Sequence, residues 1–163
     1  IGSQPKLVEE NVTAVIRKVT EYFEKRIPTL ISADGSQKKK VEISINSPRE
    51  IYANINKDLF EWVIENLIKN AIDAMDRTDG FIAINISAVG SDVIIDVTDS
   101  GKGIDTKFKK DIFRPGYSTK TRGWGLGLSL SKRIIEDYHK GKLLLLESTV
   151  GKGTTFRIKL HIK

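Results

Sequence analysis

Cysteine is absent from the chain, which excludes disulfides, thiolate metal sites and cysteine nucleophiles. Histidine is scarce: His139 and His161 alone cannot build a histidine-rich metal cluster. Long apolar runs are missing too, since none exceeds the four residues seen at 143–146, against the ~20 needed to cross a bilayer. No strong excess of one charge is present either. The 27 Lys+Arg against 21 Asp+Glu leave +6, a balance that suits nucleic acid, nucleotide phosphates or an acidic partner without choosing among them. Aromatic and basic residues do not interleave and no nucleic-acid-binding motif occurs, so nucleic acid is not an expected partner. What is there is an ordinary globular composition, 39% hydrophobic and 29% charged over 163 residues, enough for one domain spanning 1–163.

Residues 7–25 place Val8, Val12, Val15, Ile16, Val19, Tyr22 and Phe23 at helical spacing, with Pro28 as the expected stop. A polar loop, 32–40, precedes an alternating strand at 41–45 and a second short strand at 51–55. Asn56 is an N-cap candidate for the longest helical pattern, 57–75. Strand patterns follow at 81–88 and 92–99, then a glycine-studded loop with a short helix near 107–112. A helix at 125–139, capped by Gly141, leads to strands at 142–147 and 154–162. The order predicts a two-layer α/β sandwich, a mixed sheet covered on one face by about three helices.

Function shows where local rules are broken. On a wheel of the 57–75 helix, Asn70 falls about 20° from Leu59, inside the margin of the apolar arc, with Asn66 and Asp73 just outside. Two readings fit: a boundary stripe that bonds to nearby backbone, or an amide oxygen presented to a ligand or a hard cation such as Mg²⁺. Val93, Ile95, Val97 and Asp99 share one strand face, and the carboxylate at its end needs donors if it is buried. Thr154 stands likewise with Phe156, Ile158 and Leu160. Two polar groups at strand ends beside glycine turns favour a pocket for a flat polar ligand. Glycines 123, 125 and 127 open a helix where backbone N–H groups can approach phosphate, yet the spacing is neither a Walker A loop nor a dinucleotide fingerprint. Arg114, Lys120 and Arg122 precede them, as in a mobile basic lid closing on phosphates.

Together these motifs resemble the GHKL ATPase superfamily, and within it the catalytic ATP-binding domain of bacterial sensor histidine kinases. Glu65-Asn66-Leu67-Ile68-Lys69-Asn70-Ala71-Ile72-Asp73-Ala74 resembles the N box. Asp99-Ser100-Gly101-Lys102-Gly103-Ile104 resembles the first glycine box, and residues 113–120 the F box. Residues 123–128 are similar to the second glycine box, and Gly151-Lys152-Gly153-Thr154 to the final G-x-G-T element. The resemblance implies that Asp99 accepts from the adenine amino group, supported by Thr154, in a pocket shaped by Gly101, Gly103 and Ile104. It implies that Asn70 is the catalytic residue, holding the Mg²⁺ that bridges the triphosphate of ATP, with Asn66, Lys69 and Asp73 on the same side. Thr119, Lys120 and the backbone around Gly125, Leu126, Gly127 and Leu128 would meet the phosphates.

The pattern departs from the family in three places. Asp73 stands where many members carry a basic residue, and Gly116 where an aromatic is often found, which loosens the lid. Asn66 replaces the catalytic Glu of gyrase-like and mismatch-repair members, favouring transfer over hydrolysis. The resemblance implies an acceptor His on an upstream dimerisation hairpin of the same parent, with residues 1–6 as its linker, and a response regulator receiver domain downstream. It implies a monomeric domain within a homodimeric parent, cytoplasmic and belonging to a membrane-bound sensor. His139 lies at a helix end, where the dipole favours a cation, and His161 near the end of an edge-like strand, solvated. An anti-sigma-type Ser/Thr kinase and a nucleotide-binding pseudokinase scaffold are the competing readings.

Overall fold

A computed structural model describes residues 4–32, 40–75, 79–117 and 127–162. Five strands form one mixed sheet in the order β2-β4-β5-β7-β6: β2 (Val41–Asn46), β4 (Gly80–Val89), β5 (Asp92–Asp99), β6 (Lys142–Thr149) and β7 (Gly153–His161). Only β2 and β4 run parallel; every other pair is antiparallel. Three helices cover one face, α1 (Val12–Ser32), α2 (Lys57–Ala74) and α3 (Gly127–Arg133), the last continuing as a π-helical turn, Ile134–Tyr138. The alternation is as predicted: Val93, Ile95, Val97 and Asp99 of β5, with Phe156, Ile158 and Leu160 of β7, point into the core. There they meet Ile16 and Phe23 of α1 and Phe60, Ile64 and Leu67 of α2. The opposite face is polar, crossed by a two-pronged Arg157–Asp96 pair at 2.8 and 2.9 Å and by Thr98–Thr155. Among the described residues no helix is long and apolar enough to cross a membrane.

Several local expectations change. Residues Val8–Asn11, expected inside the first helix, form β1 and pair antiparallel with β3 (Tyr52–Ile55) as a separate two-stranded sheet. Pairing satisfies backbone groups on both strands, and Asn11 then caps α1 by accepting from the Ala14 N–H at 3.0 Å. Pro28 does not end α1, which continues to Ser32; proline removes one ladder bond, and burial of Phe23 and Ile27 holds the preceding turns on the core. The short helix expected at 107–112 is a single 3₁₀ turn, Thr106–Phe108, capped by Asp105. At the end of α3 the left-handed residue is Lys140 (φ 57°) rather than Gly141, whose N–H bonds the Ile135 carbonyl. Strand β7 is internal, so His161 is exposed at the end of a central strand and pairs with Asp92 at 2.8 Å.

His139 is buried and neutral, not the cation a helix end would favour. Its Nε2 accepts from the Asn56 N–H at 3.0 Å, and its Nδ1 faces the Ile134 carbonyl at 2.9 Å, so the proton sits on Nδ1. Burial holds its pKa below the usual imidazole value. Asn56 in turn caps α2 through the Leu59 N–H, which fixes where the N-box helix begins.

Candidate functional site

The site gathers at the end of the core face, where β5 stops and the chain turns back under α2. Asp99 is 6% exposed. One carboxylate oxygen accepts from the Gly101 N–H at 2.8 Å. Burial pushes its pKa up to about 6, against the opposing pull of backbone bonds from Gly101 and Thr154. Among the described residues no cation pairs with it, so the buried carboxylate is held by backbone N–H groups alone and keeps lone pairs for a further donor.

The loop after Asp99 owes its path to two close approaches. A Cβ on Gly101 would lie 2.7 Å from the Ala74 Cβ and 2.8 Å from its carbonyl oxygen, where the neighbouring Lys102 N–H bonds Ala74 at 2.9 Å. Gly103 has φ +77°, and a side chain there would strike the Thr149 carbonyl in β6. The loop is thus clamped between the C-terminal end of α2 and the β6–β7 turn. Ile104 follows, half-buried, its N–H donated to Ser148 Oγ at 2.8 Å.

On α2, Asn66 and Asn70 are both half-buried on the margin of the apolar face, while Lys69 and Asp73 are exposed. Asn66 Nδ2 donates to Ser131 Oγ at 3.1 Å, and its amide rests against Gly127 at the start of α3. That contact joins the N box to the second glycine box. Leu128 is half-buried against the core. Thr119, Lys120, Gly125 and Leu126, with the rest of the expected lid at 118–126, lie outside the described residues. At the base of that segment Phe113 packs edge-on against Phe156, with Lys132 Nζ 4.7 Å above its ring.

Thr154 is buried at the start of β7, directly opposite Asp99, so the two sequence-predicted polar groups are neighbours. Sequence reasoning missed two residues of the site. Ser131, fully buried on α3, carries the signal of lying four residues after Gly127 on the inner helix face. Ser148 bonds Thr154 Oγ1 at 2.7 Å; its signal was the unbroken leucine run before it, which breaks strand alternation.

Comparison with known proteins agrees with this geometry. The sequence model of the family described as "Histidine kinase-, DNA gyrase B-, and HSP90-like ATPase" matches residues 55–163. The C4-dicarboxylate transport sensor protein DctS of Rhodobacter capsulatus is 31% identical, over 91% of this chain and 25% of that protein. Sporulation kinase C of Bacillus subtilis is 38% identical, over 68% of this chain and 25% of that protein. The chain therefore spans a quarter of the length of these curated relatives. Among solved structures, the nucleotide-free catalytic domain of histidine kinase ThkA superposes with a TM-score of 0.81 at 30% identity, covering 96% of each chain. ThkA in complex with the response regulator protein TrrA is similar too, with a TM-score of 0.77 at 26% identity, over 96% of this chain and 42% of that one.

Proposed function

The chain belongs to the family of histidine kinase-, DNA gyrase B- and HSP90-like ATPases, and we propose that it is the catalytic ATP-binding domain of a sensor histidine kinase. In this reading it transfers the γ-phosphate of Mg-ATP to a His on a dimerisation hairpin of its parent, which passes it to a response regulator receiver domain. The observation that carries the reading is the buried Asp99 carboxylate, paired with no cation among the described residues and set opposite Thr154 beneath the end of the N-box helix. An acceptor pair in a dry pocket suits an exocyclic amino group, which supports adenine as the base. By the same reading the domain works in the cytoplasm, beneath a membrane-bound sensor.

Transfer of a phosphoryl group asks a protein for positioning and charge neutralisation rather than a nucleophile of its own. Asn70 fits a nucleotide-borne Mg²⁺, a cation that prefers oxygen donors and takes few from the protein because phosphates and water supply the rest. When bound, the ion neutralises the phosphate charge. Asn66 occupies the place of a hydrolytic carboxylate but is spent on Ser131, and a neutral amide cannot take a proton from water.

Calorimetry with and without Mg²⁺ tests the assignment. Mg²⁺ should strengthen ATP binding to the wild type, and Asn70→Ala should lose that increment, about tenfold or more, while metal-free ADP binds nearly as before. Equal Mg²⁺ enhancement in both proteins would overturn the metal role of Asn70.

A further inference from the structure

Strand β6 holds a register shift that decides what lies on the floor of the base pocket. Leu143 pairs with Ile158 and Leu145 with Phe156, but the next pairs are Glu147 with Thr155 and Ser148 with Thr154. One extra residue, Leu146, is therefore bulged out of the ladder and 42% exposed. In an unbroken ladder Glu147 would face Thr154 and share the core face with Leu143 and Leu145. The bulge reverses the parity, so Glu147 is exposed and Ser148 is buried instead. Ser148, Thr154 and Asp99 then form one row across β6, β7 and β5. The bulge keeps a second carboxylate off the row that carries Asp99.

The hydrogen-bond count around Ser148 assigns its proton. Its oxygen accepts from the Ile104 N–H at 2.8 Å. Its one hydroxyl hydrogen has the Gly153 carbonyl at 3.2 Å as an acceptor that can only accept. Either hydroxyl can donate across the 2.7 Å contact to Thr154 Oγ1; with the Ser148 hydrogen on the Gly153 carbonyl the donor is Thr154, the arrangement in which both hydroxyl hydrogens have an acceptor. With its hydrogen turned toward Ser148, Thr154 has only lone pairs left for a ligand. The floor offers two acceptors side by side, the Asp99 carboxylate and Thr154 Oγ1.

We infer that Ser148, delivered by the bulge at Leu146, is a positioning residue that sets base selectivity by directing the Thr154 hydrogen away from the pocket. The inference rests on the nucleotide reading above and deepens it. A base with an amino group at this position is accepted; one with a carbonyl there meets only acceptors and is rejected. Without Ser148 Oγ, the Thr154 hydroxyl can rotate and donate to a carbonyl.

The test measures binding of ADP and inosine diphosphate, which differ in this amino-to-carbonyl exchange and in the N1 hydrogen that accompanies it, to the wild type, Ser148→Ala and Ser148→Thr. The wild type should prefer ADP. Ser148→Ala should lower the ADP-to-IDP affinity ratio by about five- to tenfold, the equivalent of one hydrogen bond, and Ser148→Thr, which keeps the hydroxyl, should restore it. A merely structural lesion would weaken both nucleotides alike and leave the ratio unmoved. An unchanged ratio in Ser148→Ala would overturn the inference while leaving the nucleotide reading intact. A wild type with no preference for ADP would instead overturn the adenine assignment itself. Should Ser148→Ala fail to fold, Ser148→Cys, a near-isostere whose sulfur is only a weak acceptor for the Thr154 hydrogen, serves in its place, and a wild-type ratio there would equally overturn the inference.

Discussion

The Asp99 carboxyl is the residue on which binding and stability conflict. Its pKa stands near 3.8 in the unfolded chain and is raised to about 6 in the fold, chiefly by burial. Between those values the folded state holds the extra proton, so stability falls as pH rises through the window, by at most about 3 kcal/mol. At neutral pH the domain carries an ionised group it has paid to bury, and that group is the expected ligand acceptor. Asp99→Asn keeps the shape, can still accept from Gly101, and removes the charge. The variant should resist urea better than wild type at pH 7, with the gain disappearing near pH 4, while ATP affinity drops by about tenfold or more. Denaturation at the two pH values and calorimetry check both halves; unchanged ATP binding would sink the adenine role. In the wild type, ATP affinity should also fall as pH drops through about 6, where Asp99 takes up its proton.

At the scale of elements, the site depends on how closely its pieces meet. The glycines of the first glycine box are spacing devices: the loop passes against the last residue of α2 and the β6–β7 turn at distances that admit no Cβ. Gly101→Ala would press a methyl group onto Ala74 backbone, which belongs to a helix and cannot swing aside. The loop would have to lift, straining the Lys102–Ala74 bond and moving the Gly101 N–H away from Asp99. We expect a loss of about 1–3 kcal/mol in unfolding free energy together with weaker ATP binding, read by denaturation and calorimetry. Full stability in this variant would show that the clamp is looser than the structure has it. The link from Asn66 to Ser131 and Gly127 plays the corresponding role between α2 and α3.

Across the whole molecule, neither of the two histidines is placed to accept a phosphoryl group. His139 is buried with both ring nitrogens engaged, and His161 is held by Asp92, so neither is presented to a γ-phosphate. Radiolabelled ATP should therefore leave the isolated domain unlabelled, with slow hydrolysis. A separately supplied dimerisation hairpin should become labelled on His, in an acid-labile, base-stable linkage. Robust self-labelling, or transfer to Ser or Thr of a partner, would favour the anti-sigma type of kinase instead.

Much of this was legible in the sequence because it is local. Period-two alternation put Asp99 and Thr154 on the core faces of β5 and β7, and period 3.6 put Asn70 on the margin of α2. Glycine spacing marked the loops that turn at the site. Where a residue's fate depended on a strand distant in sequence, the pattern was silent or misleading. Val8 fits a helix and a strand equally well, and pairing with β3 decides for the strand. His139 looked like a helix-end cation until the Asn56 N–H, 83 residues away in sequence, claimed its lone pair. Four consecutive leucines do not reveal which of Glu147 and Ser148 will face inward; that follows from the register against β7. Periodicity is written along the chain, whereas register, tautomer and burial are settled between segments that meet only once folded.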